Sequence, residues 1–374
     1  MKVTIERAAL LKSLGHVQSV VERRNTIPVL ANVLMVAENG TLGLTATDMD
    51  LSIVEDVAAE IGEPGATTVP AHTLYDIVRK LPDGAQIELA TQGDSGQIRL
   101  SAGRSTFQLA TLPKDDFPST GDDGLPQSFK LHSEELRNLI DRTRFAISTE
   151  ETRYYLNGIY LHATKADGGG PEVLRGVATD GHRLARFEVE LPDGAAKMPG
   201  VIIPRKTVNE LRKLIDESEA GITVSLSNTR IRFSFDSTVL SSKLIDGTFP
   251  DYERVIPSGN DKTMTVDCKQ FAKAVDRVAT ISTEKSKAVK LSLNDSALTL
   301  SATSPDNGSA SEELEIGYDG DAIEIGFNAR YLLDIAERID GNEARFSLSD
   351  SASPSIVRDP ADGSALYVLM PMRV

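Results

Sequence analysis

Apolar and polar positions alternate for a few residues and then switch to a helical spacing, and this happens three times along the chain. Residues 3–14 read as a short strand, Val-Thr-Ile-Glu, running into Arg-Ala-Ala-Leu-Leu-Lys-Ser-Leu. The same grammar recurs at 129–140 and 264–275, so that Leu10, Leu136 and Phe271 correspond at separations of 126 and 135. A second strand-to-helix signature follows in each copy, at 69–78, 203–211 and 327–335. Between the signatures, runs such as 42–47, 98–102, 231–235 and 298–302 alternate strictly and are bounded by turn residues, as antiparallel strands are. Self-similarity in this order predicts an α+β fold of three repeated domains, about 125 residues each, with two helices on one face of an antiparallel sheet. The expected boundaries are 1–120, 128–246 and 247–374. Segments 114–127 and 246–262, rich in Pro, Gly and Asp, are the expected linkers, and each contains Phe-Pro, at Phe117-Pro118 and Phe249-Pro250.

Segments 105–113, 237–245 and 364–371 read as three versions of the last strand of a unit. Copies one and two run on into a linker; copy three ends on Tyr-Val-Leu-Met-Pro-Met-Arg-Val, an apolar stretch where polar, frayed residues are usual. The expectation is a closing strand followed by a short tail, residues 371–374, beside the copy-two residues around Leu184 and Pro250.

Charge changes this picture. The 374 residues carry a formal net charge of −15, which by itself speaks against nucleic acid, because phosphate binding draws on Lys and Arg. The charge is uneven, however. The six helical windows 7–16, 73–81, 134–144, 206–217, 268–279 and 330–338 hold 15 basic and 10 acidic residues, a net +5 that leaves −20 elsewhere. Basic helices recurring in all three copies can line one surface and focus a positive field there. One cysteine, Cys268, excludes an internal disulfide and a thiolate zinc site. No apolar run approaches the roughly 20 residues of a membrane span, and no leader pattern opens the chain, so a cytoplasmic protein is expected.

Candidate chemistry dissolves on inspection. Five histidines show no metal-ligand spacing, and no metal or cofactor is expected. Asp48 and Asp50 suggest a carboxylate pair, but Ala46-Thr47-Asp48 matches Ala178-Thr179-Asp180 and Ala302-Thr303-Ser304, so a turn acceptor at a repeated corner is the better reading. Neither a nucleophile elbow nor a Gly-rich phosphate loop is present, and no enzyme is expected.

The triple repeat, Arg24-Asn-Thr-Ile-Pro28, Arg153-Tyr-Tyr-Leu-Asn-Gly158, Ala178-Thr-Asp-Gly-His-Arg-Leu184, Phe249-Pro-Asp-Tyr-Glu-Arg-Val255 and the terminal Met370-Pro-Met-Arg373 resemble the bacterial sliding clamps, the beta subunits of DNA polymerase III. The resemblance implies a head-to-tail homodimer forming a closed ring of six DNA-clamp domains around duplex DNA, without sequence specificity. It implies a processivity factor that tethers the replicative polymerase alpha subunit, the clamp-loader delta subunit, and repair and translesion polymerases through a short peptide motif. The matching partner groove is Leu156, Thr179, Gly181, His182, Arg183, Leu184, Pro250, Arg254, Val255, Val368, Met370, Pro371, Met372, Arg373 and Val374; Val374 departs from the leucine often found last. DNA contacts are implied at Arg24, Arg153 and Tyr154, whereas Glu150, where some members have glutamine, speaks against one at 148–152. The implied dimer contact joins Arg104, Phe107 and Leu109 to Ile281, Glu312, Glu313 and Glu315. The competing reading, a non-catalytic repeat scaffold that does not encircle DNA, explains the repeat but has no use for basic helices in every copy.

Overall fold

A computed structural model describes residues 1–93, 95–119, 124–216, 221–282 and 287–373. Its six α-helices are α1 (Arg7–Val17), α2 (Ala71–Lys80), α3 (Ser133–Thr143), α4 (Arg205–Ile215), α5 (Cys268–Ala279) and α6 (Ala329–Ala336), two per repeat. Acid or amide caps start several of them: Glu6 accepts from Ala9 N at 3.0 Å, Asp267 from Gln270 N at 2.8 Å and Asn328 from Arg330 N at 2.9 Å. Each helix buries an apolar stripe, such as Leu10, Leu14 and Val17 in α1 or Phe271, Val275 and Val278 in α5, while α3 and α4 also bury one charged residue each, Arg142 and Glu210.

The sheets do not respect the repeats. Packing divides the chain into two compact units, the first holding residues 1–134, 192–199 and 206–244, the second 135–191, 200–205 and 245–374. In the first unit a five-stranded sheet runs Glu60–Glu63, Lys2–Glu6, Gln86–Thr91, Gln97–Ala102, Ser105–Ala110, beside an eight-stranded sheet in which Thr238–Lys243 pairs with Leu51–Ala58. In the second, Arg183–Glu190 pairs with Asp362–Leu369 inside a nine-stranded sheet, and a four-stranded sheet runs Gly308–Glu315, Ala297–Ser304, Ala288–Asn294, Ile323–Asn328. The last strand of copy two is thus completed by copy one, and the last strand of copy three by copy two. One sheet per domain, as the repeat suggested, is replaced by two sheets per domain, with continuity across the copies. The physical reason is that an unpaired edge presents a row of free backbone donors and acceptors, and a neighbouring copy supplies the matching row.

The strand after the repeated corner begins in the same way in all three copies. Asp48 Oδ1 accepts from Asp50 N (2.9 Å) and Leu51 N (2.7 Å); Asp180 Oδ1 accepts from His182 N (2.9 Å) and Arg183 N (3.0 Å); Ser304 Oγ accepts from Asn307 N (3.3 Å). These side chains are turn acceptors. Gly181 takes φ +88° at this corner, and Met49, its counterpart in copy one, takes φ +81° with a β-carbon that the left-handed region disfavours. Met49→Gly is therefore expected to stabilise the first unit by about 1 kcal/mol, read as a rise in its thermal or urea midpoint; a fall would show that the Met49 side chain compensates the strain.

Candidate partner-binding groove

The second unit places Leu156, Leu184 and Val368 in one buried cluster with Val177, Phe249 and Tyr252, which makes a continuous apolar floor. Above it Val255 and Met370 stand 47% and 40% exposed, large apolar side chains left to solvent at the rim. Pro250 and Arg254 are exposed on the linker, where Arg254 pairs with Asp251 at 2.7 Å. The closing strand ends at Leu369, and the tail beyond it is stitched at two points: Met370 N donates to His182 O (2.9 Å) and Met372 N to Gly326 O (2.8 Å). Pro371 and Met372 are half-buried and Arg373 exposed, while Val374 lies outside the described residues.

Arg183 does not point to solvent. It is 8% exposed, donates to Asp180, Asp334 and Phe145 O, and stacks its guanidinium 4.3 Å from the Tyr331 ring. Each charge-assisted bond is matched by a carboxylate or carbonyl, so the buried cation is satisfied and pins the copy-two corner to α6. Exposed His182 stacks on the same Tyr331, and Thr179 Oγ1 donates to Arg183 O at 2.7 Å, holding the turn. Tyr331 and Asp334 did not stand out in the sequence, since a tyrosine and an aspartate on an amphipathic helix look like its solvated face.

Arg153 also belongs to this neighbourhood. Its Nε donates to Glu150 at 2.6 Å, and its Nη1 would lie 2.5 Å from a β-carbon at Gly181, so glycine there is what admits the guanidinium. Hydrogen bonding to Arg153 lowers the Glu150 pKa. Adjacent Tyr154 is 53% exposed and meets Tyr155 edge-on at 5.7 Å. Arg24 is exposed on the segment between α1 and the turn Pro28–Ala31.

What holds the linker wall is a buried network. Arg175, 1% exposed, donates to Glu188 (2.8 Å), the Tyr252 hydroxyl (2.8 Å), Glu253 (3.1 Å) and Lys165 O (3.2 Å). Tyr252 OH in turn lies 3.0 Å from His162 Nε2. With Arg175 donating to it, the hydroxyl hydrogen is free to go to a neutral imidazole. Burial, and then the Arg175 charge, push His162 from its ordinary 6.5 down to about 4.

Of the residues implied for the dimer contact, Phe107 is half-buried and Leu109 buried on Ser105–Ala110, with Arg104 exposed just before it. Glu312, Glu313 and Glu315 lie on Gly308–Glu315; Glu312 accepts from Arg277 Nε at 3.0 Å, and Ile281 is half-buried just after α5. Both strands have a ladder on one side only among the described residues.

Three domains built on edge-shared antiparallel sheets, each with two helices, define the class as a replication clamp. The N-terminal, central and C-terminal domains of the DNA polymerase III beta subunit match residues 1–121, 130–251 and 253–373. A beta sliding clamp from Caulobacter vibrioides is 55% identical over 374 residues, covering all of both chains. Among solved structures, a Bartonella birtlesii sliding clamp bound to griselimycin superposes with TM-score 0.96 at 51% identity over both full chains. A Caulobacter crescentus clamp with bound polyethylene glycol gives 0.97 at 55%, covering 100% of this chain and 99% of that one. The chain belongs to the DNA polymerase III beta subunit family, the beta sliding clamps, which are non-catalytic processivity factors of DNA replication.

The His162 shift has a signed consequence. Between pH 6.5 and about 4 the unfolded chain binds a proton at this residue that the folded chain does not, so stability falls as pH is lowered through that window and is unaffected above it. His162→Gln is expected to flatten part of this slope in thermal unfolding followed from pH 7.5 to 4.5; an unchanged slope would place the proton uptake elsewhere.

Proposed function

We propose that two copies of this chain close head to tail into a ring around duplex DNA and that the groove around Leu184 and Met370 receives a short extended peptide from each client. The observation that carries the ring is the pairing rule inside the chain. Copy two's last strand pairs with the corner strand of copy one, and copy three's with that of copy two. This leaves the last strand of copy one, Ser105–Ala110, and the corner strand of copy three, Gly308–Glu315, each with a free edge. A heterologous contact between these two edges of different copies closes.

The internal joints also predict its register. Thr47 pairs with Ser52, which faces Ser241; Thr179 pairs with Leu184, which faces Val368; Thr303 pairs with Ser309. By position in the strand, Ser309 then faces Leu109 of a second copy, Ser311 faces Phe107, and Arg104 comes near Glu313. Opposite charges at this joint favour it over pairing of two like edges.

A sliding ring needs weak, sequence-blind phosphate contacts, and strong ones would act as a brake. The helices meet that requirement: Lys80, Lys269, Lys273 and Arg330 are exposed, while Lys206 is tied to Glu22 and Asp48, and Arg142 to Asp340. Arg24 and Tyr154 are the further DNA contacts we propose. Arg153, packed against Gly181, suits the rim of the groove better than a phosphate contact. The clients are the replicative polymerase, the clamp loader, and repair and translesion polymerases, in the cytoplasm on the nucleoid. An apolar rim with three methionine or valine side chains suits many peptides, because methionine repacks at low cost.

Light scattering should give about twice 40.3 kDa for the wild type. The protein should stay on nicked circular DNA and run off once that DNA is cut, and Phe107→Asp should give monomers that are not retained on either. Equal retention on circular and linear DNA would end the topological reading. Separately, Met372→Ala should weaken binding of a polymerase-derived peptide roughly tenfold, the order expected for losing an apolar anchor, with dimerisation intact; unchanged affinity would refute the groove assignment.

A further inference from the structure

The tail that borders the groove has a second side. There Met372 and Arg373 overlook a broad depression of about 1060 Å³, at the upper end of the volumes usual for ligand pockets. Its floor is the solvent face of the four-stranded sheet. Alternation along the strands sends Lys290, Ser301, Thr303 and Glu324 to this face, and Ala288, Ala302 and Ile325 line it between them.

The two sites share a wall. Met370 N is bonded to the copy-two corner and Met372 N to Gly326 on the sheet edge, so a chain leaving the groove over Pro371 and Met372 arrives at this floor. Its charge selects what is received. Glu324 accepts from Lys290 and from Ser292 Oγ, each at 3.2 Å, so the one carboxylate among the described lining residues is already engaged. Among the described lining residues two cations, Lys290 and Arg373, stand against that one carboxylate, with hydroxyl donors at Ser301 and Thr303. An acidic occupant is attracted by these cations, and a basic one is repelled.

We propose that this depression is an auxiliary subsite for the acidic or hydroxyl-bearing residues that flank the groove-binding motif in the same client chain. The proposal rests on the groove reading above and extends it. Because the flank is tethered to the motif, its local concentration is high and individually weak contacts raise affinity, so flanking sequence ranks clients that share one motif.

Calorimetry on the intact dimer tests this with a core peptide, apolar anchors plus a glutamine, and with the same peptide carrying four Asp and Ser residues at one end or the other. The expected result is about a tenfold gain for one of the two extensions, reduced by salt and absent when the added residues are Lys and Ser. Lys290→Glu should abolish the gain while leaving core-peptide affinity unchanged, and Thr303→Lys, at an exposed position, should enlarge it. No gain at either end, or a gain that survives Lys290→Glu, overturns the subsite while the groove stands. Failure of the core peptide itself to bind overturns the groove assignment first and the subsite with it.

Discussion

Antiparallel pairing of strand edges between neighbouring copies is the interaction on which this molecule depends. Leu51–Ala58 with Thr238–Lys243, and Arg183–Glu190 with Asp362–Leu369, each join two repeats through backbone hydrogen bonds. Backbone pairing is indifferent to side chains, so the same joint can be reused while the residues on either side of it diverge. Copy one puts Met49 and Asp50 at the corner of its joint, and copy two puts Gly181 and His182 at the corresponding place. One architecture thereby carries different residues at its two joints, and the proposed groove lies at the second.

The proposed groove follows from how the second joint ends. In copies one and two the last strand leads into a linker, whereas in copy three the chain leaves the sheet at Leu369 and, among the described residues, is held by two backbone bonds, to His182 and Gly326. The residues beneath it are rigid for a different reason. Arg183 is clamped by Asp180, Asp334, Phe145 O and the Tyr331 ring, and the linker wall is clamped by Arg175 through Tyr252 and Glu253. A buried guanidinium with every bond satisfied tolerates little displacement, since each broken bond leaves a charge or donor without solvent. A fixed floor beneath the tail would keep the register of any peptide that the proposed groove receives.

The same reasoning accounts for the roles of the acidic corners and of His162. The acidic corners that suggested metal ligands spend their carboxylates on backbone amides, and burial, with the Arg175 charge, lowers the pKa of His162 behind Tyr252. Electrostatics here serve geometry and weak association.

The repeat, the six helices and the strands between them were legible in the sequence, because periodicity reports which face of an element is buried and that is a local property. The corner residues Asp48, Asp180 and Ser304 were legible too, as a side chain bonding its own turn needs no distant partner. The resemblance in short motifs pointed to Leu184, Val255 and Met370. What only the tertiary structure decided was which edges meet, hence two sheets per domain, continuous from copy to copy, where one sheet per domain had been expected. It also decided that Arg183 is a buried pin, that Arg153 packs on Gly181, and that Tyr331, Asp334 and Arg175 support the groove from strands and helices far away in sequence. Such pairings depend on the closure of long loops and on which desolvated charge finds which acceptor, and no pattern within a dozen residues encodes either.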